Sequence, residues 1–260
     1  MKKPVLNEED IIQEVRKKKE FSHLPVSIVE RVLNLKEVQK ERGKSRVKRA
    51  RAILRKYYTV FLSNKLLKGK MDAEGVLKKH FSTKNRNYDE IYLRILSGNE
   101  KSIIDLGAGL NGFSFNYIKK RSPNAKYIGV EALFAFVELM NSYFGKKKLN
   151  GEAVQKDLFE INNVIDIIRK QESPKSIFIF NVIDALELDW NYSKEFLLSI
   201  LEELGDEDRI VISFPTKSLS GKRQFKANRQ WLISFLNENF SVFDDFETNG
   251  ERFISVGKIE

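Results

Sequence analysis

A strand that breaks into a glycine-rich turn constrains the fold of this chain more than any other feature. Ser102-Ile-Ile-Asp-Leu106 is almost continuously apolar, as in a strand buried on both faces of a parallel sheet. Gly107, Gly109 and Gly112 follow with the spacing G-x-G-x-x-G, and glycines permit positive φ angles and close approach of the backbone to a ligand. The turn predicts a nucleotide-binding unit, although this spacing alone does not distinguish between adenosine cofactors.

Residues around this turn and at the ends of later strands supply polar groups to the same site. Asp105 lies near the end of the first strand, and Asn111 is placed to cap the helix that follows. The next predicted strand ends at Glu131, about 20 residues after the glycines, where a carboxylate can accept hydrogen bonds from both ribose hydroxyls. A third strand closes at Asp157 and Leu158, which suit an adenine amine and the face of the adenine ring.

The order of glycine turn, ribose acid and adenine acid resembles the class I S-adenosylmethionine (SAM) methyltransferases. Either acid alone is equally well explained as a solvent-exposed loop carboxylate, but together, in register with three strands, they favour SAM. Four more strands are predicted at residues 177–180, 209–215, 240–246 and 253–258. The last two are joined through Asn249-Gly250, which is typical of a hairpin. We therefore expect an α/β fold, with a Rossmann-like seven-stranded sheet in a methyltransferase domain at residues 99–260.

Two polar residues follow the fourth predicted strand. Asn181 and Asp184 come directly after the apolar run that ends at residue 180. Open α/β sheets bind their ligands at the carboxyl ends of the strands. Asn181 and Asp184 are therefore the candidate catalytic residues, facing the reacting methyl group, and Asn181 is also a candidate cofactor ligand.

Positive charge is concentrated before the first strand. Residues 1–100 contain 25 Lys and Arg against 13 Asp and Glu, whereas residues 101–260 contain 21 against 23. Apolar residues recur at helical spacing through this first part, which predicts an all-helical extension over residues 1–98. An extension of this charge favours a polyanionic partner such as RNA, and the alternative is an ordinary lysine-rich surface.

The most basic segment of the extension is residues 44–56, with seven basic side chains and no acidic one. Its apolar residues fall near one side of a helix, so the basic residues on the other side are expected in solvent. Arg46, Arg49 and Lys56 are the candidate phosphate-binding residues of this helix. They are equally consistent with a solvated helix face that binds nothing.

The residue types that are missing exclude several classes of protein. The chain has no cysteine, which excludes disulfides, thiolate metal sites and cysteine nucleophiles, and its two histidines argue against an all-histidine metal site. We expect no metal. No apolar run approaches the roughly 18 residues of a membrane-spanning helix, and the N-terminus lacks a secretion signal. We expect a cytoplasmic monomer that does not bind membranes.

Three motifs resemble one family, the 16S ribosomal RNA (guanine-N7) methyltransferases that confer aminoglycoside resistance. The H-x-S-T-x-x-R motif of that family resembles His80-Phe-Ser-Thr-Lys-Asn-Arg86, and its G-x-G-x-N turn resembles Gly107-Ala-Gly-Leu-Asn111. Its S-F-P-T-[KR]-S-L-x-G motif resembles Ser213-Phe-Pro-Thr-Lys-Ser-Leu-Ser-Gly221. The order and separation of the three motifs match across most of the chain.

The resemblance implies a SAM-dependent enzyme that methylates guanine N7 in small-subunit ribosomal RNA. It implies that 16S ribosomal RNA within the 30S subunit is the partner, bound by the helical extension. Arg86 would pair with the carboxylate of SAM through its guanidinium fork. The remaining residues expected to bind RNA are His80, Lys217, Lys222 and Arg223.

Departures from the family's motifs keep other functions open. Ala108 and Gly112 stand where the family has Cys and Pro, and Asn85 stands where it has Glu. One alternative is a protein of the same fold that binds RNA or assists ribosome assembly without catalysis. Another is a methyltransferase for a different RNA nucleotide, and a third is a small-molecule or protein methyltransferase, which leaves the basic extension unexplained.

Overall fold

The structure is a computed structural model that describes residues 7–59, 72–79, 83–217 and 229–259. Its centre is a seven-stranded sheet. The strands are β1 (Ser102–Leu106), β2 (Lys126–Glu131), β3 (Gly151–Gln155), β4 (Lys175–Phe180), β5 (Arg209–Pro215), β6 (Ser241–Thr248) and β7 (Glu251–Gly257). The spatial order is β3-β2-β1-β4-β5-β7-β6. The sequence therefore predicted all seven strands.

The order in which the chain adds strands to the sheet reverses at β1, which determines where a ligand binds. β2 lies on one side of β1 and β4 on the other, both parallel to it. The chain therefore builds the sheet outward from β1, first on one side and then on the other. Open α/β sheets bind their ligands at such a point, in the crevice at the carboxyl ends of the two central strands, here β1 and β4. β7 is antiparallel to β5 and β6, joined to β6 by a turn in which Asn249 and Gly250 have φ of +51° and +81°.

Helices cover both faces of the sheet. They are α7 (Phe115–Arg121), α8 (Phe134–Lys147), α9 (Ile161–Arg169), α10 (Ile183–Leu186), α11 (Tyr192–Glu202) and α12 (Gln230–Asn239). One expected cap is absent. Asn111 begins a 3-10 turn, and its side chain turns inward and donates to Asp105.

The described part of the N-terminal extension is helical. Its helices are α1 (Glu8–Arg16), α2 (Val26–Asn34), α3 (Lys36–Gln39), α4 (Gly43–Leu54), α5 (Ala73–Lys79) and α6 (Tyr88–Ile95). A π-helical turn, Arg55–Thr59, continues α4. Apolar side chains of α1, α2 and α4 belong to one continuous buried cluster with those of β1, α7 and α8. The extension therefore packs directly on the sheet domain.

Within the described ranges, no helix is both long enough and apolar enough to cross a membrane.

Candidate functional site

A pocket lies at the carboxyl ends of the parallel strands. The glycine turn after β1, the loops after β2 and β3 and the turn after β4 form most of its wall, and residues of the extension close one side. The predicted cofactor-binding residues that line it are Arg86, Gly107, Gly109, Asn111, Glu131, Asp157, Leu158 and Asn181. The fold therefore brings together residues that are spread over about a hundred positions of the sequence.

The glycine turn has a backbone that side chains would not tolerate. The φ angle is +75° at Gly107 and +54° at Gly109, a region that residues with a Cβ rarely adopt. A Cβ atom at Gly107 would lie 2.4 Å from Cγ2 of Val182. The turn after β1 therefore packs against the turn after β4 at the bottom of the pocket.

We expect Gly107→Ala to lower the free energy of unfolding by about 2 kcal/mol, because it combines a strained φ with a steric clash. Urea denaturation measures this change. Gly145→Ala is the matched control, since a Cβ at Gly145 in α8 meets nothing within 4 Å. That variant should gain about 0.5–1 kcal/mol from helix propensity. Equal stabilities for the two variants would contradict the packing described here.

Glu131 links the glycine turn to the loop after β2. Its Oε2 accepts a hydrogen bond from the backbone N–H of Gly109 and its Oε1 accepts one from Leu133, both at 2.8 Å. Burial raises the pKa of this carboxyl group, and the backbone hydrogen bonds offset part of the rise. Each oxygen retains a lone pair that can accept from a ribose hydroxyl.

Asp157 is buried where the loop after β3 begins. Its Oδ1 accepts a hydrogen bond from the backbone N–H of Phe159 at 3.0 Å, and its Oδ2 accepts one from Ser27 Oγ at 2.8 Å. Leu158 lies beside it in the pocket lining. The carboxylate and the apolar side chain are therefore adjacent, as an adenine ring with its exocyclic amine requires.

Asp105 lies behind the pocket wall, which contradicts the prediction that it contacts the cofactor. Its Oδ2 accepts hydrogen bonds from Asn111 Nδ2 at 2.8 Å and from the Tyr127 hydroxyl at 2.6 Å. Burial raises the pKa of Asp105, and the bonds from Tyr127 and Asn111 lower it in part. Asp105 therefore orients Asn111, which does line the pocket.

Glu251 lies at the start of β7 and organises one wall of the pocket, and no sequence pattern predicted it. It accepts two hydrogen bonds from Arg86, from Nε at 2.9 Å and from Nη2 at 2.8 Å. Asn181 Nδ2 donates to the same carboxylate at 2.9 Å, and Ser213 Oγ donates to it as well. Glu251 therefore joins the ends of β4 and β5 to the extension.

The guanidinium fork of Arg86 is engaged by Glu251 and Asn111, and its pairing with the carboxylate of SAM stays a prediction. Its Nε and Nη2 are on Glu251, its Nη1 donates to Asn111 Oδ1 at 3.2 Å, and its side chain is 5% exposed. Burial alone would lower the pKa of Arg86, but the charge and hydrogen bonds of Glu251 outweigh burial and raise it. Arg86 thus contributes a fixed positive charge to the wall.

The two candidate catalytic residues have separate positions. Asn181 lines the pocket with φ of +59°, and its Oδ1 is buried without a hydrogen-bond partner among the residues that the structure describes. Asp184 lies outside the pocket, where its carboxylate accepts two hydrogen bonds from Arg229. The one-turn helix α10 presents Ala185 and Leu186 to the pocket instead. Asp184 therefore does not face a reacting methyl group.

The candidate RNA-binding residues are not all exposed. Arg46 is half-buried, since it donates to Glu8 at 2.8 Å and to the Leu33 carbonyl at 3.3 Å, so it was wrongly placed in solvent. Arg49 is exposed and pairs with Glu37. Lys56 and Lys217 are also exposed. The other three predicted residues, His80, Lys222 and Arg223, lie outside the described ranges.

Comparison with solved structures identifies the fold. The 16S rRNA methylase RmtB superposes with a TM-score of 0.73 over 99% of this chain and 100% of its own, at 20% identity. The 16S rRNA methyltransferase RmtF, solved with S-adenosyl-L-homocysteine, gives a TM-score of 0.75 over 98% of this chain and 100% of its own, at 19% identity. The fold is that of a class I methyltransferase. The fold class predicted from the glycine turn and the two acids is confirmed.

A curated relative extends the similarity to the sequence. The 16S rRNA (guanine(1405)-N(7))-methyltransferase of Proteus mirabilis is 26% identical across an alignment that covers 71% of this chain. The chain spans 64% of the length of that relative. No family model matches the chain. The resemblance to the 16S rRNA (guanine-N7) methyltransferases that the three motifs suggested is confirmed.

Proposed function

We propose that this protein is a SAM-dependent methyltransferase that acts on guanine N7 in 16S ribosomal RNA. The observation that carries the proposal is the pocket at the topological switch point, which is lined by Gly107, Gly109, Glu131 and Asp157. The similarity to the Proteus mirabilis enzyme supports 16S ribosomal RNA as the substrate and guanine N7 as the methylated atom.

The residues present fit SAM. Gly107 and Gly109 line the pocket without side chains, so a ligand can approach the backbone there. Glu131 would accept the ribose hydroxyls, and Asp157 with Leu158 would hold the adenine. The methionine end of the cofactor would then lie toward Asn111 and Arg86. SAM supplies an electrophilic methyl group on a sulfonium centre.

Guanine N7 has an in-plane lone pair and carries no proton, so its methylation requires no general base. The protein must hold the donor and the nucleophile in line, which is catalysis by positioning. Asn181 is the residue suited to this role, because it lines the pocket and its Nδ2 is anchored on Glu251, while its Oδ1 has no partner among the described residues. We therefore assign the positioning of the target base to Asn181.

The RNA would be bound by the extension, residues 1–98, and by the segment after β5. Lys217 lies at the start of that segment, with its aliphatic chain packed over Gly250, one residue before Glu251. Lys217 therefore lies beside the turn that leads into Glu251. We propose that the protein docks as a monomer on the 30S subunit, with the phosphates bound on both sides of the pocket.

The departure from the family at Gly112 has a packing reason. A Cβ at this position would lie 2.8 Å from both Met140 Sδ and Phe144 Cζ. These large side chains occupy the space that a proline ring would require. Gly112 is therefore explained by packing under the turn and does not indicate a loss of catalysis.

Removing charge from the exposed face of α4 is expected to weaken RNA binding and to flatten its salt dependence. Lys48 and Arg49 are exposed there, whereas Arg46 is held by Glu8. Each lost phosphate contact should reduce the slope of log K against log salt by roughly 0.7–0.9. Binding of Lys48→Ala/Arg49→Ala to 30S subunits should be measured at several salt concentrations. Lys146→Ala/Lys147→Ala, at the end of α8, is the control; an unchanged slope in the first variant would show that α4 does not contact phosphates.

Transfer of tritiated methyl groups from SAM tests the proposed function directly. Purified 30S subunits, naked 16S RNA, free guanosine nucleotides and bulk protein are offered as acceptors. We expect incorporation into 30S subunits, with the label recovered as 7-methylguanine. SAM binding without transfer to any RNA would instead favour the non-catalytic RNA-binding alternative, and transfer to protein or nucleotides would refute the RNA assignment.

A further inference from the structure

The extension contacts segments that surround the adenosine end of the pocket. Gln155, the last residue of β3, donates through Nε2 to the carbonyl of His23 at 2.7 Å. The same Nε2 donates to the carbonyl of Ala132, after β2, at 2.9 Å. Further along the chain, Arg31 donates to Asp189 at 3.1 Å. Its guanidinium group also lies 3.9 Å from the ring centroid of Phe159. The loop before α2 and α2 itself are therefore fixed on the cofactor-binding edge of the sheet.

One of these contacts involves the proposed adenine ligand itself. Ser27, in α2, donates through Oγ to Asp157 Oδ2 at 2.8 Å, across 130 residues of sequence. The backbone N–H of Phe159 holds the other oxygen at 3.0 Å. With one donor on each oxygen, the carboxylate plane of Asp157 is fixed, and each oxygen retains a lone pair for a further donor. Ser27 therefore determines how Asp157 faces an adenine amine.

A second segment of the extension reaches the same end of the pocket. Tyr58 belongs to the π-helical turn that follows the basic helix α4, and its side chain lines the pocket. Burial raises the pKa of the Tyr58 hydroxyl, with the charges of Asp157 and Glu131 also raising it. Tyr58 and both acids that we assign to adenosine line the same pocket.

We propose that the helical extension forms part of the adenosine site, with Ser27 as a positioning residue for Asp157 and Tyr58 as a direct contact of the adenosine. This inference rests on the proposed function, because it takes the cofactor to be SAM. Its consequence is that cofactor binding and the placement of the basic helix are coupled. Because the π-helical turn continues α4, a bound cofactor would stabilise the position of this basic helix on the sheet domain.

Calorimetric titration with two ligands tests the role of Ser27. S-adenosyl-L-homocysteine carries the exocyclic amine, and S-inosylhomocysteine has a carbonyl oxygen in its place. Ser27→Ala should lower the affinity for S-adenosyl-L-homocysteine about tenfold, which is the effect of misplacing one hydrogen bond to a charged group. Its affinity for S-inosylhomocysteine should be nearly unchanged. Ser27→Thr should restore binding, and Ser45→Ala, on an exposed position of α4, should bind both ligands as the unmodified protein does.

The role of Tyr58 is tested in the same titrations. Tyr58→Ala should have a lower affinity for both ligands, because a contact with the ring does not depend on the exocyclic amine. Tyr58→Phe should bind both ligands as the unmodified protein does. Unchanged affinity in Tyr58→Ala would refute the contact.

Each result for Ser27 has a distinct meaning. If Ser27→Ala weakens the two ligands equally, Ser27 supports the fold and the positioning role is refuted. If its affinity for S-adenosyl-L-homocysteine is unchanged, the inference fails while the proposed function stands. If the unmodified protein binds neither ligand, both the proposed function and this inference fail.

Hydrogen exchange can be measured on the unmodified protein, so this test does not require any variant to fold. Amide hydrogen exchange should slow in Val26–Asn34 and in Arg55–Thr59 when S-adenosyl-L-homocysteine is added. Exchange in Gln230–Asn239, which lies outside the pocket lining, should not change. Protection confined to the loops of the sheet domain would overturn the inference.

Discussion

Replacing Glu251 with alanine is expected to lower the free energy of unfolding by about 3–5 kcal/mol, because it leaves a buried charge without its partner. Arg86 is 5% exposed and directs two hydrogen bonds to Glu251. Asn181 and Ser213 would lose the same acceptor. Urea denaturation of Glu251→Ala and of the unmodified protein measures the difference, and SAM titration of the folded fraction should show weaker binding.

The chain contains a matched control for this prediction. Arg94 and Asp244 also form a two-bonded pair, at 3.0 and 2.6 Å, which likewise joins the extension to the final hairpin. Their side chains are 42% and 27% exposed. Because water screens that pair, Asp244→Ala should cost less than about 1 kcal/mol. Similar losses in the two variants would mean that burial does not determine the importance of Glu251.

Glu131→Ala is expected to reduce the affinity for SAM by about a hundredfold or more. The carboxylate would accept two ribose hydroxyls, and a hydrogen bond to a charged group contributes roughly 1.5–3 kcal/mol. The substitution also removes the acceptor of the N–H groups of Gly109 and Leu133, so the glycine turn loses its anchor. Isothermal titration with SAM measures the loss.

Two controls separate the ligand effect from unfolding. Glu138→Ala removes an exposed carboxylate from α8, in the same part of the chain, and should leave SAM affinity unchanged. A thermal melt of Glu131→Ala establishes that the protein titrated is folded. A folded Glu131→Ala protein with normal SAM affinity would remove Glu131 from the adenosine site.

The sequence predicted those parts of the site that depend on short stretches of chain. The glycine turn, Glu131 and Asp157 each follow a strand directly, and the carboxyl ends of parallel strands lie at one edge. Strand periodicity therefore placed them correctly. The Asn249-Gly250 turn likewise fixed the hairpin, because both residues accept positive φ.

The contacts that were missed join distant parts of the chain. Arg86 and Glu251 are 165 residues apart and Ser27 and Asp157 are 130 apart, so no local pattern relates either pair. Asp184 was misplaced for a different reason. It follows β4 closely, but the single turn α10 rotates it toward Arg229, away from the pocket. A strand end specifies the edge of the sheet, whereas the direction of each side chain depends on the turn that follows.

The 165-residue separation between Arg86 and Glu251 has a consequence for protein synthesis. At about 5–20 residues per second, translation takes roughly 8–30 s to produce Glu251 after Arg86. During that interval the nascent chain already contains α6, β1 and the glycine turn, but the guanidinium group lacks its acceptor. The pocket wall can therefore be completed only after β7 has left the ribosome. Until β7 emerges, Arg86 and Asn181 lack the carboxylate that holds them in the wall of the pocket.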